Sequence, residues 1–336
     1  MIIDSEAASG RILAVPGMER IGEVEVGKGC RTDTNFVTAP MAKRVRQPAF
    51  RTREVDLADL PRWTSWPARL LGLEQAPEGE RTLEKIDREY DKDKYARCLD
   101  YAQGLAREEL SPETVRMFEQ GAGHQLMCAC SEGELIAVTA QWAMKRYRKI
   151  LLNAMRATIR DVSVVIELGC GYGYNLWTLS REFPGKRFVG GDYSENAVQL
   201  AALLFKAHPE ITISRLNLYS PKYELLEDLG DSGSWLIYTV HAVEQLASAA
   251  PVLKALEPCR DRIRAVFHFE PASELHDDSL LGLLRLRYAE VNDYNRDLVS
   301  RLRERSDICV VQLQQHVFGA NPLNPFSVIQ WKFAGR

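Results

Sequence analysis

The chain has 336 residues, with 43 Lys and Arg against 46 Asp and Glu, and a formal charge of -3. This balance gives no global electrostatic reason to bind a polyanion, so nucleic acid is not expected as a partner. The opening "MIIDSEAASGRILAVPG" carries acids where a secretory leader carries basic charge, and no later run is apolar enough to cross a bilayer. A cytoplasmic protein without membrane contact is expected.

The elements can be read in chain order. "RILAV" and "GEVEV" alternate as a small hairpin would, and "TAPMAKRVRQPAFRTREV" follows as a basic, proline-containing arm. Lys43, Arg44, Arg46 and Arg51 in that arm would suit a substrate carboxylate if it lay over the site. Trp63, Trp66, Leu70 and Leu71 are too apolar for an exposed arm and predict a packing face or a homodimer patch. Leu83, Ile86, Tyr90, Tyr95 and Leu99 fall on one helical face. "SPETVRMF" then starts another helix, with Ser111 as its cap and Pro112 at the first position.

"IAVTAQWAMKRYRKILLNAMRATI" predicts a longer helix with Val138, Trp142, Tyr147, Ile150, Leu151 and Met155 on its apolar side. From residue 163 strand and helix patterns alternate through "RFVGGD", "ENAVQLAALLFKA", "ITISRL", "SWLIYTV", "AVEQLASAAPVLKAL" and "AVFHFE", the rhythm of a parallel sheet. A long helix is expected from Ser279 to Arg305, with Asn292, Asp293, Tyr294 and Asn295 on its solvated side. "ICVVQLQQHVF" and "FSVIQWKF" close the chain as a hairpin around "GANPLNP". The expected fold is therefore α/β, a doubly wound sheet ending in an antiparallel hairpin. A mostly helical extension over residues 1–136, expected to help cover the substrate, precedes a binding domain over 137–336.

Within "VIELGCGYGYNLW", Glu167 interrupts an apolar strand just before Gly169, Gly171 and Gly173. The glycines let backbone approach a ligand, and the following helix offers N-terminal amides. The spacing is G-x-G-x-G, not the G-x-G-x-x-G of dinucleotide folds, because Tyr174 fills the sixth position. An acid, one residue, then G-x-G-x-G resembles the first motif of class I S-adenosylmethionine-dependent methyltransferases, and the resemblance extends over about residues 137–336. It implies that Glu167 holds the cofactor's ammonium while the glycines make room for its methionine and ribose portions. Asp192, at the end of the next strand, matches the family's ribose-binding acid, a bidentate acceptor for vicinal hydroxyls. Asn217 stands where the family usually has an acid near the adenine amino group.

Acceptor groups should follow the next two strands, where the sequence offers His241, Glu244, Glu270 and Glu274. His241 suits a general base, although a helix-start role explains it equally. Glu244 also suits a helix dipole, and Glu270 ends an apolar strand where an acid needs a cation, a donor or a proton. The cluster of acids favours a small cationic acceptor, an amine or an arginine-like guanidine, methylated on nitrogen in bacterial specialised metabolism. One alternative is an O-methyltransferase of a natural product with His241 as base, and another is a non-catalytic cofactor-binding subunit of a partner. Seven cysteines without a C-x-x-C pair read as reduced thiols, and no metal is expected.

Overall fold

The computed structural model describes residues 52–335, apart from 77–78, 122–124 and 231–232. The early hairpin and the basic arm lie outside the described residues. In chain order the first elements are β1 (Arg53–Glu54), α1 (Trp66–Leu70), α2 (Leu83–Ile86), a π-helical segment (Asp87–Tyr95), α3 (Ala96–Gln103) and α4 (Pro112–Gln120). Then come β2 (Leu126–Ser131), β3 (Glu134–Thr139) and the long α5 (Ala140–Arg160). The alternating part is β4 (Val164–Leu168), α6 (Tyr174–Glu182), β5 (Arg187–Asp192), α7 (Glu195–Leu204), β6 (Ile211–Arg215), α8 (Glu224–Glu227), β7 (Trp235–Val240), α9 (Ala250–Leu256) and β8 (Ile263–Glu270). The chain closes with α10 (Leu280–Val291), α11 (Leu298–Glu304), β9 (Ile308–Gly319) and β10 (Phe326–Phe333).

Among the described residues ten strands form one sheet, in the order β1-β3-β2-β9-β10-β8-β7-β4-β5-β6. Strands β6, β5, β4, β7 and β8 run parallel, and β10 returns antiparallel between β8 and β9. This is the expected doubly wound sheet with a terminal antiparallel hairpin. Its central strands read as continuous apolar runs because both faces are covered. Val165, Tyr238 and Phe267 pack towards α5 and α6 on one face, and Val164, Ile166 and Ile237 pack towards α9 and α11 on the other.

Three expectations change on contact with the structure. The boundary at 136/137 falls inside β3, because β2 hydrogen-bonds to β9 and extends the same sheet. The extension thus supplies strands as well as helices, and α5 starts only at Ala140, capped by Thr139. The long C-terminal helix is broken between α10 and α11, where Asp293 takes a left-handed φ of 52°. Asn292 and Asn295 there are buried, not solvated, and their side chains bond to the carbonyls of Tyr288 and Leu246. Short polar side chains that bond backbone groups compete with the helix ladder, and the helix stops here. The aromatic segment before α2 serves packing: Trp66 is buried edge-on against Tyr288 of α10, while Leu71 and Leu73 stay exposed.

Candidate active site

The strands β4, β5 and β7 end at one cleft of about 1070 Å³, open solvent included. Each of the three glycines has a left-handed φ, between 55° and 85°, so the turn after β4 is one that side chains resist. Gly171 is the telling position. A Cβ there would collide with the hydroxyl of Tyr95, which reaches over from the π-helical segment. Gly169 and Gly171 line the cleft, whereas Gly173 serves close packing against Ile213.

The acids implied for the cofactor line this cleft and keep acceptor capacity. Asp192 Oδ2 accepts from the Gly171 N–H at 2.6 Å and Oδ1 from the Ser194 N–H at 2.9 Å. One N–H on each oxygen fixes the carboxylate and leaves lone pairs for a diol. Glu167 is 1 % exposed, and its two oxygens accept from Asn175 Nδ2 at 2.6 Å and the Tyr238 hydroxyl at 2.9 Å. Burial pushes its carboxyl up to about 8, against the pull of those two donors. Such a group sits near neutrality until a cation joins it. Asn217 also lines the cleft, but its Oδ1 accepts from the Tyr219 N–H at 2.9 Å. Its Nδ2 is the remaining polar end, which suits a ring nitrogen better than an amino group. The donor and acceptor set therefore fits an S-adenosyl amino acid.

The four acceptor-side candidates separate into two kinds. His241 lines the cleft with a left-handed φ of 52°, and its Nδ1 lies 3.2 Å from Glu244 Oε2. Its Nε2 has no hydrogen bond to a described residue. Glu244 sits behind it, 1 % exposed, and also accepts from Asn324 Nδ2 at 2.9 Å and Gln245 Nε2 at 2.8 Å. Burial would raise its carboxyl, yet the adjoining His241, Asn324 and Arg81 hold it below the ordinary range. It lies in a single 3₁₀ turn, Val243–Gln245, and not in the first turn of α9, which starts at Ala250.

Glu270 and Glu274 face backbone instead of the cleft. Glu270 is 0 % exposed and accepts from the N–H groups of Ala242, Val243 and Glu244 at 2.9, 3.1 and 3.1 Å. It clasps the turn that carries His241, which is how that residue can be held at a strained φ. Burial and the charge of Glu244 push its carboxyl up to about 7. Glu274 accepts from the N–H groups of Val299 and Ser300 at 2.6 and 2.8 Å, satisfying the start of α11.

Part of the helical extension also lines the cleft. Asp91 of the π-helical segment accepts from Ser194 Oγ at 2.6 Å and from the Asn196 N–H at 2.9 Å, which ties it to the start of α7. Arg81, 6 % exposed, donates to Gln245 Oε1 at 2.7 Å and pairs with Glu89 at 2.6 Å. Leu83, Ile86, Tyr90 and Tyr95 complete the lining. Tyr90 and Tyr95 were legible as apolar-face residues, but only the fold turns that face to the cleft.

No protein-family model matches the chain, and no curated protein matches it in sequence. Among solved structures it is similar to the pyocyanin biosynthetic protein PhzM, at 16% identity over 81% of this chain and 68% of that one, TM-score 0.45. It is similar to a SAM-dependent methyltransferase from Anabaena variabilis ATCC 29413, at 20% identity over 56% and 84%, TM-score 0.38. A third is the SAH-bound methyltransferase PaMTH1 of Podospora anserina, at 12% identity over 77% and 98%, TM-score 0.40. At these scores the likenesses add no weight of their own; the fold rests on the strand order and the site on its residues.

Proposed function

We propose that this chain transfers a methyl group from S-adenosylmethionine to a hydroxyl of a small acceptor, with His241 as general base. The bound cofactor supplies an electrophilic methyl group on a sulfonium. Glu167, Asp192 and Asn217 would hold its ammonium, ribose and adenine. The observation that carries the oxygen reading is the His241 Nδ1 to Glu244 contact at 3.2 Å, with the imidazole on the cleft wall and the carboxylate behind it. A carboxylate on Nδ1 fixes the tautomer whose Nε2 accepts a proton, and it favours the imidazolium that results. An acceptor hydroxyl in hydrogen-bond reach of Nε2 would pass its proton there as its oxygen takes the methyl group and the methyl–sulfur bond breaks to leave a neutral thioether.

The cationic acceptor, an amine or an arginine-like guanidine, draws less support. Glu270 and Glu274 are taken up by backbone N–H groups, and Glu244 already has His241 as its partner. The apolar part of the wall, with Leu83, Ile86, Tyr90 and Leu246, suits an acceptor with an apolar body and few charges. The test is a panel of phenols, alcohols, amines and guanidines incubated with labelled S-adenosylmethionine and resolved by mass. A methyl ether formed by the wild type and lost in His241→Gln is the expected result. Methylated nitrogen formed at equal rates by both proteins would return the reading to nitrogen.

A further inference from the structure

The π-helical segment does something an α-helix would not. Its i→i+5 bonding, seen where the Ala96 N–H donates to the Asp91 carbonyl, widens the turn so that residues four and five apart share a side. Tyr90, Lys94 and Tyr95 are thereby set together on the cleft wall. Lys94 Nζ lies 4.9 Å from the centre of the Tyr95 ring and 5.7 Å from that of Tyr90. Glu119 Oε1 holds it from behind at 2.8 Å.

Glu119 is shared. Its Oε2 also accepts from Arg116 Nη1 at 2.6 Å and from the Tyr172 hydroxyl at 3.1 Å. Lys94 and Arg116 share this one carboxylate, and although Asp192 of the same cleft also acts on Lys94, the ammonium keeps donors for an incoming anion. Arg116 is nearly fully enclosed, with its side chain 8 % exposed, and it stacks over Tyr174 at 5.2 Å. Lys94 is the more open of the two, at 21 %, and one carboxylate oxygen occupies only one of its three donors.

The acid for an ammonium lies at the same end. Tyr174 adjoins Asn175, whose Nδ2 donates to Glu167 and whose Oδ1 accepts from the Tyr147 hydroxyl at 2.9 Å. An ammonium with open donors and a buried acid thus converge on one end of the cleft, the arrangement that an α-amino acid, with both charges on one carbon, would fill. We propose that Lys94, backed by Glu119 and Arg116, is a carboxylate-binding subsite that takes the α-carboxylate of the cofactor's methionine portion. This rests on the S-adenosylmethionine reading above and names how its amino-acid end is recognised.

The test uses the full chain and calorimetry with two probes, S-adenosylhomocysteine and 5′-methylthioadenosine, which lacks the amino-acid end. Lys94→Met should weaken S-adenosylhomocysteine on the order of tenfold to a hundredfold, with 5′-methylthioadenosine unchanged and Lys94→Arg restoring most of the loss. Equal S-adenosylhomocysteine affinity in Lys94→Met and wild type, including the case where only acceptor binding suffers, would overturn it. So would an equal loss for both probes. A wild type that binds neither probe removes the underlying cofactor reading instead, so the two failures are told apart.

Discussion

The two halves of the cleft are built differently. In the cofactor half Glu167, Gly171, Asp192 and Asn217 follow one another within a short stretch of chain, and their partners are mostly near neighbours such as Asn175 and Ser194. In the acceptor half the partners come from far away: Glu244 holds Asn324, Gln245 holds Arg81, and Glu270 holds the turn after β7. A local motif fixes the first half, and tertiary assembly fixes the second. The difference teaches how to read an acid at a strand end. Asp192 keeps room for a ligand, while Glu270, at the equivalent end of β8, has spent its oxygens on three backbone N–H groups.

If the halves are separable, single changes should strike one and spare the other. The largest effect is expected for His241→Gln, which removes the base and should lower turnover by a factor on the order of 10² to 10⁴ with S-adenosylhomocysteine binding intact. Equal losses in binding and turnover, by calorimetry and rate assay, would show that the imidazole holds the cofactor side together too. The converse is Asp192→Ala. Loss of a half-buried, hydrogen-bonded charge that the cofactor would cover should cost about 2 to 5 kcal/mol of cofactor affinity. Titration of the folded variant at normal affinity would break the assignment of this half.

The same contrast explains how much the sequence reveals. The sheet, its hairpin and the cofactor acids are legible because period, glycine spacing and strand-end acids are local signals. Which residues of the extension reach the cleft is not, since the helical face of Leu83, Ile86 and Tyr90 does not say what it faces, and π geometry has no simple residue pattern. The roles of Glu270 and Glu274 are also hidden. A buried acid must have a partner, but the sequence does not tell a substrate cation from a row of backbone N–H groups. His241 and Glu244 lie three apart, a spacing a helix would also explain, and only the left-handed φ of 52° separates the two accounts.

Glu270→Gln sharpens the comparison further. An amide can accept on one oxygen, but its NH₂ would then confront an N–H, since Glu270 Oε1 receives Ala242 and Val243 while Oε2 receives Glu244. The opposed donors should lower unfolding stability by about 1 to 3 kcal/mol and let the His241 turn relax. Chemical denaturation is the direct measurement. A substitution that left stability alone and abolished turnover would make Glu270 a substrate group after all.

The smallest expected effect lies outside both halves and serves as their control. His276 Nδ1 and His316 Nε2 are 2.9 Å apart, in a bond that needs one ring to donate and the other to accept. Burial, then the neighbouring His316 and Arg285, lowers His276 to about 3; burial and Arg285 lower His316 to about 4, with Asp277 opposing in both. Histidines depressed on folding bind protons more readily when unfolded. Their stabilising contribution is therefore complete above the ordinary value near 6.5 and is lost as pH falls towards 4. Glu167 and Glu270 act in the opposite sense, because raised carboxyls lose stability as pH rises from 4.5 towards 7 and 8. Subtracting the His276→Asn, His316→Asn profile from that of the wild type isolates the pair. The difference should be a loss of wild-type stability that grows as pH falls from 6.5 to 4. Cofactor binding at pH 7.5 should be the same in both proteins. A flat difference would mean that the two rings already share a proton in the folded chain, and a change in cofactor affinity would mean that the C-terminal hairpin is coupled to the cofactor half.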